Sequence, residues 1–235
     1  MLSLIRKTFK SDGLAVKAIR IIANFTNMNT KSAYNAWASQ YDTNINPTRD
    51  LEAKALQLTL QDVSFKNCLE IGCGTGKNTD WLINKANQIT AVDFSEEMLA
   101  KARAKIVSDR VEFIQADVTK DWILREGFYD LVTFSLVLEH IEHLEPIFKQ
   151  VASSLRPGGM VYIGELHPFK QYSGSKARFD TEEGQQVLEC FTHHISEFTT
   201  AAKKQGLVLM ELQEYFDHED KSGVPRILAL LLRKP

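Results

Sequence analysis

A glycine-rich turn is the part of this sequence with the clearest chemical potential. Gly72, Gly74 and Gly76 stand at alternating positions directly after the short apolar run of residues 67–71. Because glycine has no β-carbon, a ligand could lie almost against the backbone at such a turn. A tight turn between a strand and a helix that binds nothing would require the same glycines, so the turn alone leaves both interpretations open.

Two aspartates favour a ligand at this turn. Asp93 follows the turn by about twenty residues and ends the next apolar run, a position from which a carboxylate can accept hydrogen bonds from both hydroxyls of a ribose. Asp117 follows the third run, where an adenine would lie beside it. Either residue alone could cap a helix or lie in a loop. Two aspartates at the carboxyl ends of successive strands indicate a nucleoside site.

The glycine spacing argues against two other nucleotide motifs. A phosphate-binding P-loop ends in Gly-Lys followed by Ser or Thr, whereas Gly76-Lys77 is followed by Asn78 and the required earlier glycine falls on Ile71. A dinucleotide fingerprint would place its third glycine at Lys77. This mismatch disfavours an NAD(P)-dependent oxidoreductase but leaves it as an alternative.

Strands and helices alternate along the predicted domain. Apolar runs predict strands at residues 67–71, 89–93, 111–115, 130–135 and 160–165. Helical patterns lie at residues 78–85, 96–107, 144–155 and 192–205. The runs at 207–216 and 226–232 favour an antiparallel pair. The predicted fold is therefore α/β, a Rossmann-like doubly wound sheet of seven strands, mostly parallel, with a C-terminal antiparallel hairpin.

The same segments carry a family resemblance. Residues 69–76, 91–98, 115–118, 129–140 and 155–163 resemble, in order and spacing, the blocks of class I S-adenosylmethionine-dependent methyltransferases. They are most similar to the small-molecule branch that includes ubiquinone and menaquinone biosynthesis methyltransferases. The resemblance covers roughly residues 30 to 165. It implies S-adenosylmethionine as cofactor and a small molecule as methyl acceptor.

The resemblance also implies a role for individual residues of the cofactor site. Glu70, Gly72 and Gly74 would line the methionine end of the cofactor, and Asp93 would hold the ribose. The adenine would be contacted by Phe94, Met98, Asp117 and Val118. The sulfonium side would be lined by Ser135, Leu136 and His140.

An aromatic stripe precedes these blocks. Tyr34, Trp37 and Tyr41 are three and four residues apart, so they share one face of a helix. The stripe could simply be core. Because the segment also resembles the family's N-terminal helix, we expect a lid whose aromatic faces shield the cofactor and attract its sulfonium.

Methyl transfer from a sulfonium needs a base only when the acceptor must lose a proton early. His167 is the preferred candidate for this base or for a substrate contact, and His140 and His143 are alternatives near the same sheet edge. Each histidine could instead be structural.

A substrate-cover segment is predicted at about residues 166–190. Lys170, Tyr172, Lys176 and Arg178 would bind the acceptor there, which indicates a carboxylate or phosph(on)ate, although an exposed basic loop would look the same. Oxygen is the expected methyl acceptor because no amine- or base-specific motif follows strand four. No metal cluster is predicted.

Composition sets the remaining expectations. The length of 235 residues suits one domain, and the resemblance implies that it is a methyltransferase domain at 31–235 after an N-terminal extension at 1–30. The net charge of −2 predicts no nucleic-acid partner. No apolar run is long enough for a membrane span.

The cysteines Cys68, Cys73 and Cys190 are interpreted as free thiols of a cytoplasmic protein. The protein is expected to be a monomer or a homodimer. A non-catalytic scaffold that binds the cofactor is a further alternative.

Overall fold

A seven-stranded mixed sheet forms the centre of the described part of the chain. The structure is a computed structural model that describes residues 30–38, 41–43, 45–122, 124–181 and 184–235. The predicted N-terminal extension therefore lies outside the described residues, except for Thr30.

Helices and strands alternate as the sequence predicts. In chain order the elements are α1 (Thr30–Trp37), α2 (Pro47–Leu60), β1 (Asn67–Ile71), α3 (Lys77–Leu82), β2 (Gln88–Asp93), α4 (Glu96–Lys105), β3 (Val111–Gln115), β4 (Tyr129–Ser135), a short 3₁₀ turn (Leu138–His140), α5 (Leu144–Ser154), β5 (Leu155–Leu166), α6 (Pro168–Tyr172), β6 (Arg178–Thr181), β7 (Gly184–Val187), α7 (Ile195–Lys204), β8 (Val208–Tyr215) and β9 (Ile227–Arg233).

The strand order confirms the predicted doubly wound topology. The main sheet runs β3-β2-β1-β4-β5-β9-β8, with β1 to β5 parallel and β9 antiparallel to both of its neighbours. The predicted C-terminal hairpin is present, with β9 inserted between β5 and β8. Because the order reverses between β1 and β4, a crevice opens at their carboxyl ends.

Helices cover both faces of the sheet and bury a core on each. On one face Ile147 and Phe148 of α5 pack with Phe198 of α7. On the other face Leu56 of α2 and Leu82 of α3 are fully buried. Burial of these faces fixes the strand ends, and with them the residues of the turns that follow.

Helix α2 is an element that the sequence pattern did not reveal. Asn46 caps it by accepting hydrogen bonds from the amides of Thr48 and Arg49, and Pro47 occupies its first turn. Its buried face includes Glu52, which is 2% exposed. A buried carboxylate interrupts the apolar periodicity by which amphipathic helices are recognised.

Two further predictions about the second half of the chain were wrong. Strand β5 begins at Leu155, not at 160, because Gly158 and Gly159 hydrogen-bond with Lys234 and extend the sheet. The segment at 166–190, for which the sequence pattern predicted no helix or strand, contains α6 and the two-stranded sheet β6–β7.

The three cysteines are free thiols, as predicted. Among the helices of the described residues, none combines the length and the apolar character required to cross a membrane.

Candidate functional site

A cavity of about 650 Å³ lies at the carboxyl ends of β1 to β4. We refer to it as the first cavity. Its volume falls within the range of small-molecule sites in proteins. Its wall contains every predicted cofactor residue except Trp37 and Glu70, namely Tyr34, Tyr41, Gly72, Gly74, Asp93, Phe94, Met98, Asp117, Val118, Ser135, Leu136 and His140.

Some further residues of this wall are not among the predicted cofactor residues. Gln115 and Thr119 flank Asp117, and Val137 and Ile141 flank His140. Gln115 ends β3, and the other three residues belong to the segments that follow β3 and β4. Their closeness in sequence to predicted residues was the signal that could have identified them.

The glycine turn is open toward the first cavity on one side and closed on the other. All three glycines have positive φ angles, 72° at Gly72, 53° at Gly74 and 81° at Gly76. A β-carbon at Gly72 would lie 2.2 Å from Cγ2 of Val137, whereas one at Gly74 would meet only the Tyr41 ring, at 4.0 Å. Gly72 therefore packs against protein, and Gly74 gives a ligand access to the backbone.

Asp93 is fixed by backbone amides of the turns after β1 and β2. Its Oδ2 accepts a hydrogen bond from the Gly74 amide at 2.8 Å, and its Oδ1 accepts one from the Ser95 amide at 2.9 Å. Burial raises the pKa of this carboxyl, and these backbone donors act in the opposite direction. Each carboxylate oxygen has a second lone-pair direction, so both can still accept a ligand hydroxyl.

Asp117 lies exposed on the rim of the cavity. Its Oδ1 accepts hydrogen bonds from the amide and the hydroxyl of Thr119, at 3.0 and 2.6 Å. This local turn orients the carboxylate beside Val118, which also lines the cavity.

Two aromatic residues of the N-terminal segment, Tyr34 and Tyr41, form part of the wall of the first cavity. The Tyr34 hydroxyl lies 2.9 Å from Nε2 of His140, whose Nδ1 lies 3.2 Å from the carbonyl oxygen of Glu189. Since a carbonyl only accepts, Nδ1 carries a proton, and in the neutral ring Nε2 accepts from the Tyr34 hydroxyl. The guanidinium of Arg49 lies 4.0 Å from the centre of the Tyr41 ring. One face of that ring therefore already carries a protein cation.

Glu70 lies behind the glycine turn, not in the wall of the cavity. Its Oε2 accepts a hydrogen bond from Thr79 at 2.6 Å, and Glu52 lies close by, bonded to Asn78 and Tyr162. Burial raises the pKa of Glu70 to about 8 and that of Glu52 to about 7. The expectation that Glu70 lines the ligand is not met by this geometry, because its side chain points into the helix layer.

A second cavity of about 350 Å³ adjoins the first. Tyr34, Tyr41 and Leu136 line both cavities. Trp37, predicted to face the cofactor, lines only the second. The cavity is rich in cationic side chains, which are Arg49, Lys176, Arg178 and Arg226. Arg49 and Arg226 were not predicted, because they lie far apart in sequence and outside the recognised blocks.

The predicted acceptor residues separate into two groups. Lys176 and Arg178 line the second cavity. Lys170 instead lies 3.7 Å from Asp217, and the Tyr172 hydroxyl lies 2.6 Å from a ring nitrogen of His194. These two residues are absent from the walls of both cavities because their side chains pack against the C-terminal part of the domain.

The proposed catalytic role of His167 is not supported by its position. It caps α6 by accepting a hydrogen bond from the Phe169 amide on Nδ1, at 3.1 Å, so Nε2 carries the proton and donates to Glu214 at 2.9 Å. Burial lowers its pKa. With both nitrogens engaged outside the two cavities, His167 has a structural role. The alternative candidate His143 is exposed beside Glu142.

The fold brings together one group of possible metal ligands among the described residues. Ligand atoms of Glu139, His140 and Cys190 all lie within 4.8 Å of one another. The sequence analysis did not predict this group, because Cys190 comes from the cover segment. Both nitrogens of His140 are already hydrogen-bonded, so we assign no metal to these residues.

The fold and the first cavity together define a class of α/β proteins that bind a nucleoside-containing ligand where the strand order reverses. Residues 69–163 match the family described as a methyltransferase domain. The chain is 32% identical over 142 residues to a malonyl-[acyl-carrier protein] O-methyltransferase of Priestia megaterium, covering 52% of this chain and 51% of that protein. It is 28% identical to a ubiquinone biosynthesis O-methyltransferase of Hydrogenovibrio crunogenus, over 64% of this chain and 66% of the relative.

The fold is also similar to that of a solved structure. The protein in a DhpI-SAM-HEP complex superposes with a TM-score of 0.68 at 27% identity, covering 97% of this chain and 100% of that one. The chain spans about half to two thirds of the two curated relatives. Residues 69–163 thus match the methyltransferase domain family, and the fold is that of S-adenosylmethionine-dependent methyltransferases. The recognition made from the sequence is confirmed, including S-adenosylmethionine as the cofactor of this family.

Replacing Gly72 with alanine tests the packing of the glycine turn. The new β-carbon would overlap Val137, and the alanine would have a positive φ. In Gly174→Ala the alanine also has a positive φ, but its β-carbon meets no neighbouring atom. We expect Gly72→Ala to lose about 1–3 kcal/mol more stability than Gly174→Ala, since only the first variant overpacks the core. Thermal unfolding of both variants measures this difference, and equal losses would contradict the packing.

Replacing Glu70 with glutamine tests the buried carboxyl pair. The folded protein keeps a proton on Glu70 that the unfolded chain releases, so stability should fall as the pH rises from about 5 to about 9. Relative to the wild type, Glu70→Gln should gain about 1 kcal/mol or more over this window. Denaturant titrations at both ends of the window measure the gain. The exposed Glu97→Gln serves as control, and a gain of the same size there would contradict the assignment.

Proposed function

We propose that this protein transfers a methyl group from S-adenosylmethionine to an oxygen atom of a small anionic molecule. The observation that carries the proposal is the pair of adjoining cavities. The first is lined by the residues that the family resemblance assigns to the cofactor, and the second is lined by cationic side chains. The two cavities share the residues Tyr34, Tyr41 and Leu136.

The residues of the first cavity fit this cofactor. Asp93 would hold the ribose hydroxyls, with its carboxylate already oriented by two backbone amides. Asp117 and Val118 would contact the adenine, and the open backbone at Gly74 would accommodate the methionine part. When bound, S-adenosylmethionine supplies a methyl group on a positively charged sulfur.

The chain itself then contributes alignment and exclusion of water. The leaving thioether needs no proton, so the main requirement is that the acceptor atom lies in line with the methyl group. Tyr34 and Tyr41 lie between the cavities with their rings packed against Trp37. Burial raises the pKa of Tyr41 to about 12 and that of Tyr34 well above its ordinary value, so both phenols stay neutral.

The second cavity supports an anionic acceptor. Guanidinium groups bind carboxylate and phosph(on)ate oxygens through paired hydrogen bonds. Arg49 and Arg178 can provide such donors, and Lys176 adds a third positive charge. Arg226 lies beside them and is neutralised by Asp217, to which it donates through Nε and Nη2.

The names of similar proteins support oxygen as the acceptor atom. Two relatives are O-methyltransferases, one of which acts on a malonyl-[acyl-carrier protein]. A solved neighbour at 27% identity is a complex with SAM, which supports the cofactor and not the acceptor atom. We also place the reaction in the cytoplasm, since the free thiols Cys68, Cys73 and Cys190 suit a reducing compartment.

Replacing Arg178 with alanine tests the acceptor site. We expect the Michaelis constant of an anionic acceptor to rise at least about tenfold, the loss of roughly one charge-assisted pair, while the affinity for S-adenosylmethionine stays unchanged. Formation of S-adenosylhomocysteine on a panel of small carboxylates and phosphonates measures the effect. Lys170→Ala is the matched control, because Lys170 belongs to the same segment but faces Asp217. An unchanged constant in Arg178→Ala, or an equal rise in the control, would contradict the assignment.

A further inference from the structure

Glu139 is the only carboxylate in the described wall of the second cavity. It is 6% exposed and belongs to the 3₁₀ turn after β4. Its Oε2 lies 3.4 Å from the Gln171 amide nitrogen, and its Oε1 lies 3.9 Å from Nε2 of His140. Glu139 thus lines the second cavity, and the next residue of the turn, His140, lines the first.

The backbone of this turn is held by a second buried carboxylate. Glu165 accepts hydrogen bonds from the amides of Val137, Leu138 and Glu139, at 3.0, 2.8 and 3.3 Å. Leu136, just before the turn, has a φ of 57°, an uncommon value for a residue with a side chain. Such a fixed turn keeps the Glu139 side chain at one place in the cavity wall.

The two histidines considered as bases are already engaged in hydrogen bonds within the protein. Nε2 of His140 accepts from Tyr34, and Nδ1 of His140 carries a proton that it donates to the Glu189 carbonyl. Both nitrogens of His167 are bonded outside the cavities. The carboxylate of Glu139 accepts hydrogen bonds from Gln171 and Cys190. Since two carboxylate oxygens offer about four acceptor positions, Glu139 still has acceptor capacity.

Charged and titratable groups surround Glu139 on all sides. His140, Cys190 and Glu165 lie on the protein side, Tyr34 lies at the junction of the cavities, and the cations Arg49, Lys176 and Arg178 line the same cavity. Burial raises the pKa of Glu139, and the neighbouring His140 acts in the opposite direction. A carboxyl whose pKa is raised in this way is a stronger base than an exposed one.

The charge pattern of the cavity indicates which part of an acceptor lies next to Glu139. A carboxylate repels an anion, so the anionic group of the acceptor should lie against the arginines and lysine. The group beside Glu139 should instead bear a proton that the carboxylate can accept. A molecule with an anion at one end and a hydroxyl at the other satisfies both requirements.

We propose that Glu139 is the general base for the acceptor, and that the acceptor is a hydroxyl-bearing carboxylate or phosph(on)ate. The inference rests on the proposed function. In the step, the acceptor O–H bond breaks and its proton passes to a Glu139 oxygen. The acceptor oxygen forms a bond to the methyl carbon while the carbon–sulfur bond of the sulfonium breaks, and that electron pair stays on sulfur. The proton then leaves Glu139 for solvent, and the product is a methyl ether.

The test compares Glu139→Gln with the wild type on short ω-hydroxycarboxylates and ω-hydroxyalkylphosphonates. Glutamine keeps the shape and removes the base, so kcat should fall at least about 100-fold, within the range measured for general bases. The Michaelis constant and the affinity for S-adenosylmethionine should change less than about threefold, since the anion site and the cofactor site stay intact. The rise of kcat with pH should also disappear. Glu142→Gln, exposed in the following turn, is the matched control.

Additional measurements distinguish a failure of this inference from a failure of the proposed function. Alcohols without the anion and acids without the hydroxyl should not be methylated, and product analysis should show an ether. Formation of a methyl ester, turnover of none of these probes by protein that binds S-adenosylmethionine, or loss of activity on chelation with recovery on adding Zn²⁺ would overturn the inference. Failure to bind S-adenosylmethionine would overturn the proposed function itself. If Glu139→Gln does not fold, Glu139→Asp replaces it and should keep the acceptor affinity while lowering kcat; an unchanged kcat in either variant would overturn the role of Glu139.

Discussion

The hydrogen bond between the Gly74 amide and the carboxylate of Asp93 joins two neighbouring strand ends in the wall of the first cavity. It connects the turn after β1 with the end of β2, and the Ser95 amide holds the other carboxylate oxygen. This arrangement requires the parallel register in which Ile71 pairs with Val92, because only then do both turns end at the same level. The rest of the first cavity is assembled around this point.

The second cavity depends on a different constraint, the fixed turn after β4. The buried carboxyl group of Glu165 accepts hydrogen bonds from three backbone amides of this turn. The turn thereby sets the positions of Leu136, Glu139 and His140 in the cavity walls. The wall opposite comes from α2 and from the cover segment. One cavity is therefore built from consecutive strand ends, and the other from parts of the chain that are distant in sequence.

This difference explains how much the sequence could predict. The strands and the residues at their ends follow from local apolar runs and from motifs, so Asp93, Asp117 and the glycines were identified together with the fold. Arg49 and Arg226 were missed because only the folded chain brings α2 and the start of β9 to one cavity. The sequence pattern does not show which distant segments lie next to each other in the folded chain.

The sequence also could not assign hydrogen-bond partners. His167 was the preferred base because of its place after β5, but its role is decided by the Phe169 amide and by Glu214, which lies far along the chain. Glu139 was overlooked for the converse reason, since a glutamate in a turn is usually solvated. The buried Glu52 likewise hid α2 from the periodicity that identifies helices.

Calorimetric titration with S-adenosylmethionine tests the central claim most directly, using the wild type, Asp93→Ala and the exposed control Asp109→Ala. The account predicts saturable binding to the wild type and the control, and an affinity at least about tenfold weaker in Asp93→Ala, the loss expected for a charge-assisted hydrogen bond. Circular dichroism of the three proteins shows whether they are equally folded. Absence of binding to folded wild-type protein, or equal affinity in Asp93→Ala, would contradict the account.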